Sequence, residues 1–179
     1  MIPSQVSIET NSQNHHGGVL YPVDKYKFLR EHVYTNKKRL RKMSRAYKKN
    51  ALIIATDGSA KKGRSAFGYC IARQDGKILL RAHSPVIVDS EYHFSDRAEL
   101  LAILAATSHI GLIEKMFPLR LQKRHSIQLH TDSESSLIRI EDEASNSTKT
   151  VLNSNLDVLF EIKKVCENLK AKIIFFMWI

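Results

Sequence analysis

Three carboxylates stand where side chains of their type could do chemistry together. Asp57 follows the wholly apolar run 51–56, Glu99 falls in the first turn of a largely apolar helical stretch, and Asp132 follows the short strand pattern of 126–131. A cluster of carboxylates that leaves positions open for water and phosphate is the ligand set of Mg²⁺ or Mn²⁺. Such a cluster repels itself and draws up protons unless a cation neutralises it. Each acid also has an ordinary structural reading. Asp57-Gly58 could form a turn, Glu99 could be the capping-box partner of Asp96, and Asp132 could cap the next helix. Competing chemistries lack their residues. Neither His15-His16 nor the pair His125 and His130 has a Cys or further spaced ligand to complete a zinc site, and His130 reads as a packed or partly exposed strand residue. No P-loop, GxSxG or Cys–His nucleophile pattern is present.

For the three acids to meet, the strands ending at Asp57 and Asp132 must be parallel neighbours, with the helix bearing Glu99 crossing above their C-terminal edge. Ligand sites in α/β sheets form at such edges. The chain supplies these elements. Residues 51–56 (ALIIAT) suit a central strand covered on both faces. The stretch after Asp57 (SAKKGRS) reads as a Lys- and Gly-rich loop needing no tight hairpin. Residues 65–73 alternate, with Phe67, Tyr69 and Ile71 on one side and Ala66, Gly68, Cys70 and Ala72 on the other. Asp75-Gly76 then predicts a hairpin turn, and residues 77–88 return as a third strand whose Pro85 marks a sheet edge.

Ser95 or Asp96 caps a buried helix reaching about His109, and 111–125, which contains Pro118, reads as a basic connection. A fourth strand over 126–131 precedes a brief helix to about Glu141 and a polar loop, 142–150. An amphipathic helix follows, with the stripe Leu152, Leu156, Leu159, Ile162, Cys166 and Leu169, and 172–178 forms a final buried strand. The order is β-β-β-α-β-α-α-β, an α/β class without internal repeats.

At 179 residues, 43% of them hydrophobic, the chain fits one domain with an appended segment. No apolar run approaches the ~18 residues that would cross a bilayer, so no membrane partner is expected. The N-terminus lacks a basic and then apolar leader. Cys70 and Cys166 lie in apolar patterns and read as reduced thiols of an intracellular protein, with cytoplasm and nucleus undistinguished. Residues 1–23 are polar, without periodicity, and read as a disordered tail. Residues 24–50 hold eleven Lys and Arg against Asp24 and Glu31, a net +9 of the chain's +10. Within them Tyr26, Leu29, Val33, Leu40, Met43 and Tyr47 follow helical spacing, with Asn36 in the remaining slot. This segment reads as a basic amphipathic helix or tether, and Lys37, Lys38, Arg39, Arg41 and Lys42 are candidates for electrostatic contact with nucleic acid. A solvated helix face or a localisation signal is the plainer alternative.

ATDGSA at 55–60, RAELLAIL at 97–104 and HTDSESS at 130–136 resemble, in order, the first three motifs of type 1 ribonuclease H, an enzyme found alone and in retroelement polyproteins. The resemblance covers 51–179. It implies a ribonuclease H-like fold, with a five-stranded mixed sheet of order 3-2-1-4-5 flanked by helices. It also implies hydrolysis of the RNA strand of RNA–DNA hybrids with two Mg²⁺ ions, with Mn²⁺ as a substitute. Asp57 would bridge both metals, and Glu99 and Asp132 would each bind one. Glu99 would also lie near the ribose 2′-hydroxyl, the group that tells RNA from DNA. Gly58 and Ser59 would admit the substrate closely. Ser95 and Asp96 stand where many members carry Asn residues that contact the hybrid. A fused or associated reverse transcriptase is the expected protein partner. The family's Gly-His stretch and fourth Asp have no counterpart before Ile179, so the domain reads as C-terminally incomplete and weak or inactive alone. The competing functions are a non-catalytic nucleic-acid-binding module and another nuclease or transposase on the same fold.

Overall fold

The computed structural model describes residues 5–7, 37–86, 95–117, 125–145 and 155–177. Ten elements follow in chain order: β1 (Gln5–Ser7), α1 (Lys37–Lys48), β2 (Leu52–Lys61), β3 (Arg64–Arg73), β4 (Ile78–Pro85), α2 (Ser95–Met116), β5 (Ser126–Thr131), α3 (Glu134–Ala144), α4 (Leu156–Asn168) and β6 (Lys172–Met177). From β2 onward they reproduce the expected β-β-β-α-β-α-α-β order.

The six strands form one sheet in the order β1-β6-β5-β2-β3-β4. Without β1 this is the expected five-stranded order, with β2, β3 and β4 as an antiparallel meander and β5 and β6 parallel to β2. The core is built where the alternation predicts. Phe67, Tyr69 and Ile71 are buried, as are Ile54 of β2, Leu129 of β5 and Phe175 of β6. Helix α2 lies on this layer and is apolar almost all round, burying Leu100, Ile103, Leu104, Ile110 and Ile113. Each such side chain contributes about 1.5–3 kcal/mol by leaving water. On α4 the buried residues are Val158, Leu159, Glu161, Ile162 and Cys166, so the middle of the expected stripe is buried, Leu156 and Leu169 are half-buried, and Leu152 lies outside the described residues. Among the described residues no helix is long and apolar enough to cross a membrane.

Several boundaries depart from the sequence reading for identifiable reasons. Strand β2 does not end at Thr56. It pairs with β3 through Asp57↔Gly68 as far as Lys61↔Arg64, and a two-residue hairpin turns at Lys62-Gly63. Both turn residues have positive φ, 50° and 69°, which matches the twist of paired strands. The Lys- and Gly-rich stretch is therefore a tight hairpin rather than a loop. Helix α2 runs two turns past His109, because Ile110 and Ile113 continue the buried face and outweigh the weak propensity of Gly111. Helix α3 extends to Ala144, which packs against the core, so the polar loop starts later than its composition suggested.

The Asp75-Gly76 turn is present, with Gly76 at φ 81° and its N–H bonded to the Arg73 carbonyl. Pro85 ends β4, the sheet edge, as expected. Gln5–Ser7 pairs antiparallel with β6 inside the stretch that composition marked as a disordered tail, because β6 offers an open edge. Of the basic segment, 24–36 lies outside the described residues, as do 118–124, 146–154 and Trp178-Ile179.

Candidate metal centre

Asp57, Glu99 and Asp132 come together. Each offers one carboxylate oxygen, and the three oxygens lie within 4.8 Å of one another. They form the sole grouping of three His, Cys, Asp or Glu side chains placed to hold a metal among the described residues. The sheet explains the meeting. Parallel pairing of β2 with β5 stops at Ala55↔His130, so Asp57 and Asp132 each stand two residues beyond the last pair on adjacent strands. Both are exposed, whereas Glu99 is buried.

Glu99 arrives because α2 crosses β2 at unusually close range. A Cβ added to Gly58 would sit 2.3 Å from the backbone nitrogen of Glu99 and 2.5 Å from the carbonyl carbon of Ala98. What the missing side chain admits at Gly58 is therefore the helix. The Gly58 N–H also hydrogen-bonds the Glu99 carboxylate.

The ordinary structural readings of the acids do not describe this arrangement. Asp57-Gly58 is continuous strand. The cap of α3 is Ser133, whose side chain accepts the Ser136 N–H at 3.3 Å, which leaves Asp132 free of that task. Asp96 accepts a hydrogen bond from Ser135 Oγ at 3.1 Å and pairs with Arg139 at 2.7 Å. It thereby ties the start of α2 to α3, the helix that begins just after Asp132.

The electrostatics fit a cation. Glu99 Oε2 is buried without a hydrogen-bond partner. Burial raises the Glu99 pKa to about 7, the charges of Asp132, Asp57 and Asp96 add to the rise, and the Gly58 N–H opposes it. A carboxylate oxygen buried, unbonded and facing two other acids is costly to ionise, and a divalent ion would relieve that cost. Three oxygen donors beside an open cleft match Mg²⁺ or Mn²⁺. That cleft, about 750 Å³, is lined by Asp57, Asp132, Gly68, Cys70, Arg81 and His83 among others.

Of the other candidates, Ser59 is exposed on β2 two residues past Asp57, and Ser95 is exposed at the first residue of α2. The basic residues of α1 stand elsewhere, at the far end of α2. The histidines have other tasks: His130 stacks on Phe176 with ring centroids 5.1 Å apart, and His125 Nε2 bonds the Lys48 carbonyl at 2.9 Å. Sequence reasoning missed Arg97. It is 4% exposed and binds Asp157 through two hydrogen bonds of 2.7 and 3.0 Å and Asn155 through one of 3.2 Å. It locks the start of α4 to the turn that carries Glu99. An Arg inside an otherwise apolar helix was the available signal, because a buried guanidinium demands partners.

No protein-family model and no curated protein matches the sequence. Solved structures do resemble the fold. LC11-RNase H1, isolated from compost by a metagenomic approach and solved with an RNA/DNA hybrid, aligns with a TM-score of 0.54 at 17% identity over 71% of this chain and 84% of that one. The N-terminal RNase H domain of Rv2228c from Mycobacterium tuberculosis aligns at 0.51 and 13%, over 72% and 81%. A foamy viral protease-reverse transcriptase, also solved with an RNA/DNA hybrid, aligns at 0.54 and 16%, over 72% of this chain and 17% of its own. The fold is thus ribonuclease H-like, and its sheet order brings the three acids to one edge.

Proposed function

We propose that this domain hydrolyses the RNA strand of RNA–DNA hybrids with two divalent ions, Mg²⁺ or Mn²⁺, held by Asp57, Glu99 and Asp132. The carrying observation is the cluster itself: three carboxylate oxygens within 4.8 Å, one of them on a buried glutamate with an unbonded oxygen. The choice of hybrid over other nucleic acids is supported by the likeness to two proteins solved with RNA/DNA hybrids.

Bound ions of this kind supply an activated water and charge that stabilises the leaving oxygen of an in-line displacement. The chain's own residues do the positioning. Gly58 fixes Glu99 by letting α2 touch the strand, and the exposed Asp57 and Asp132 stand at the open side of the cleft. Ser59 and Ser95 would flank the substrate. Asp96 would do so while tied to α3. A fused or associated reverse transcriptase is the protein partner we propose, on the strength of the foamy viral likeness.

The test has two readouts. Mg²⁺ or Mn²⁺ should raise the melting temperature of the protein, and Asp132→Asn should abolish that rise. Hybrid cleavage should require the same ions, and Asp132→Asn should lower its rate about 1,000-fold, the equivalent of ~4 kcal/mol of transition-state stabilisation. Cleavage by Asp132→Asn at the parent rate would overturn the assignment. Equal cleavage of duplex DNA would replace it with a nuclease indifferent to the 2′-hydroxyl.

A further inference from the structure

Helix α1 contains no acid and divides sharply into two faces. Leu40, Met43, Ala46 and Tyr47 are buried, while Lys38, Arg41, Lys42, Arg45 and Lys48 are exposed, as is Lys49 just past the end of the helix. The exposed cations recur every three or four residues and so form one stripe, about 15 Å long at ~1.5 Å per residue. The helix is fixed to the domain. Tyr47 donates a hydrogen bond to the buried Glu114 of α2, the Lys48 carbonyl meets His125 Nε2 at 2.9 Å, and Asn50 Oδ1 accepts the Ser126 N–H at 2.9 Å. These attachments lie at the end of α2 and the start of β5. The carboxylate cluster uses the opposite ends of the same two elements, and Glu99 and Glu114 are about 22 Å apart along α2.

We propose that the exposed face of α1 is a second nucleic-acid-binding surface, distinct from the carboxylate cluster and held at the opposite end of the domain, which grips the phosphate backbone without reading sequence. A rigid row of cations at ~5 Å spacing faces several phosphates of a strand at once, and each phosphate neutralised releases counterions. Because the row is docked rather than tethered, little freedom is lost when it binds. The choice of nucleic acid as the polyanion rests on the proposed hydrolysis of hybrids; the binding surface itself does not.

The experiment measures binding, so it can be read whether or not the domain cleaves. Asp132→Asn protein is titrated against a 20-base-pair RNA–DNA hybrid without divalent metal at several salt concentrations. A second protein carries in addition Lys38→Gln, Lys42→Gln and Arg45→Gln. A third carries instead Lys77→Gln, Lys115→Gln and Lys164→Gln, an equal loss of charge at exposed sites elsewhere. The α1 variant should bind about 10- to 100-fold more weakly at 0.1 M salt, with a log–log salt slope shallower by roughly 2.7 for three lost phosphate contacts. The control should keep most of the affinity. Equal losses in the two variants would reduce the effect to net charge and overturn the proposal. So would unchanged hybrid binding in a variant that has lost adhesion to phosphatidylserine vesicles, because the surface would then belong to a membrane. Absence of any rise in melting temperature with Mg²⁺ or Mn²⁺, with α1-dependent binding intact, would overturn the metal-centre reading alone.

Discussion

The two ends of α2 solve opposite problems with the same residue type. At one end Glu99 is buried beside two other acids, with one oxygen unbonded. At the other, Glu114 is also buried, but it accepts hydrogen bonds from the Tyr47 hydroxyl and the Lys170 N–H, the latter at 3.0 Å. The second arrangement is what folding alone selects, since buried charge is normally satisfied. The first works against stability. The difference teaches that Glu114 is placed for the fold, whereas Glu99 is left to the metal centre proposed above, although both lie on one continuous helix.

The strongest way to break this contrast is to remove what holds the unsatisfied end in place. Arg97 is buried and its partner Asp157 nearly so, with side-chain exposures of 5% and 19%. Arg97→Leu would remove the guanidinium that Asp157 and Asn155 bind. We expect a loss of about 3–5 kcal/mol in urea unfolding. A loss below ~1 kcal/mol would mean that the start of α4 does not anchor the site.

Much of this was legible in the sequence. Alternation at 65–73 gave the buried face of β3, and Asp75-Gly76 gave its turn. The three motifs were needed to raise the acids above their ordinary readings, since a Ser or Asp before a helix is a cap far more often than a ligand. What stayed hidden depended on partners distant in the chain. The path of β2 through Asp57 is set by pairing with β3, and the helix contact at Gly58 is made by residues forty positions away. The salt bridge from Arg97 to α4 spans 60 residues. The sequence reading ended α2 at about His109, and only the packing of Ile110 and Ile113 shows otherwise.

A smaller effect sharpens the satisfied end. Burial, with the hydrogen bond and charge of Glu114, pushes the Tyr47 hydroxyl far above its usual range, so the phenol stays protonated and donates to Glu114. Glu114→Gln keeps the shape and weakens two charge-assisted hydrogen bonds. We expect a loss of about 1.5 kcal/mol in chemical unfolding, accompanied by a change in tyrosine near-ultraviolet dichroism as α1 shifts. An unchanged stability would show that α1 is held by its apolar face alone.

The smallest effect has the opposite sign. Glu99 has a folded-state pKa of about 7 against an ordinary 4.5, so between those values the native state holds a proton that the unfolded chain has released. Stability from this group therefore falls as pH rises from about 4.5 through 7. Asp57→Asn removes one of the charges that oppose ionisation, though not the burial that contributes most. At pH 8 without metal it should stabilise the protein by about 1 kcal/mol, the interaction of unit charges roughly 5 Å apart in a water-like medium. At pH 5, where Glu99 is protonated, the gain should shrink. Adding Mg²⁺ should reverse the order of the two proteins, because the parent gains a ligand-bound state that the variant forms poorly. A variant less stable than the parent at both pH values would mean that Asp57 supports the sheet, and the contrast between the two ends of α2 would fail.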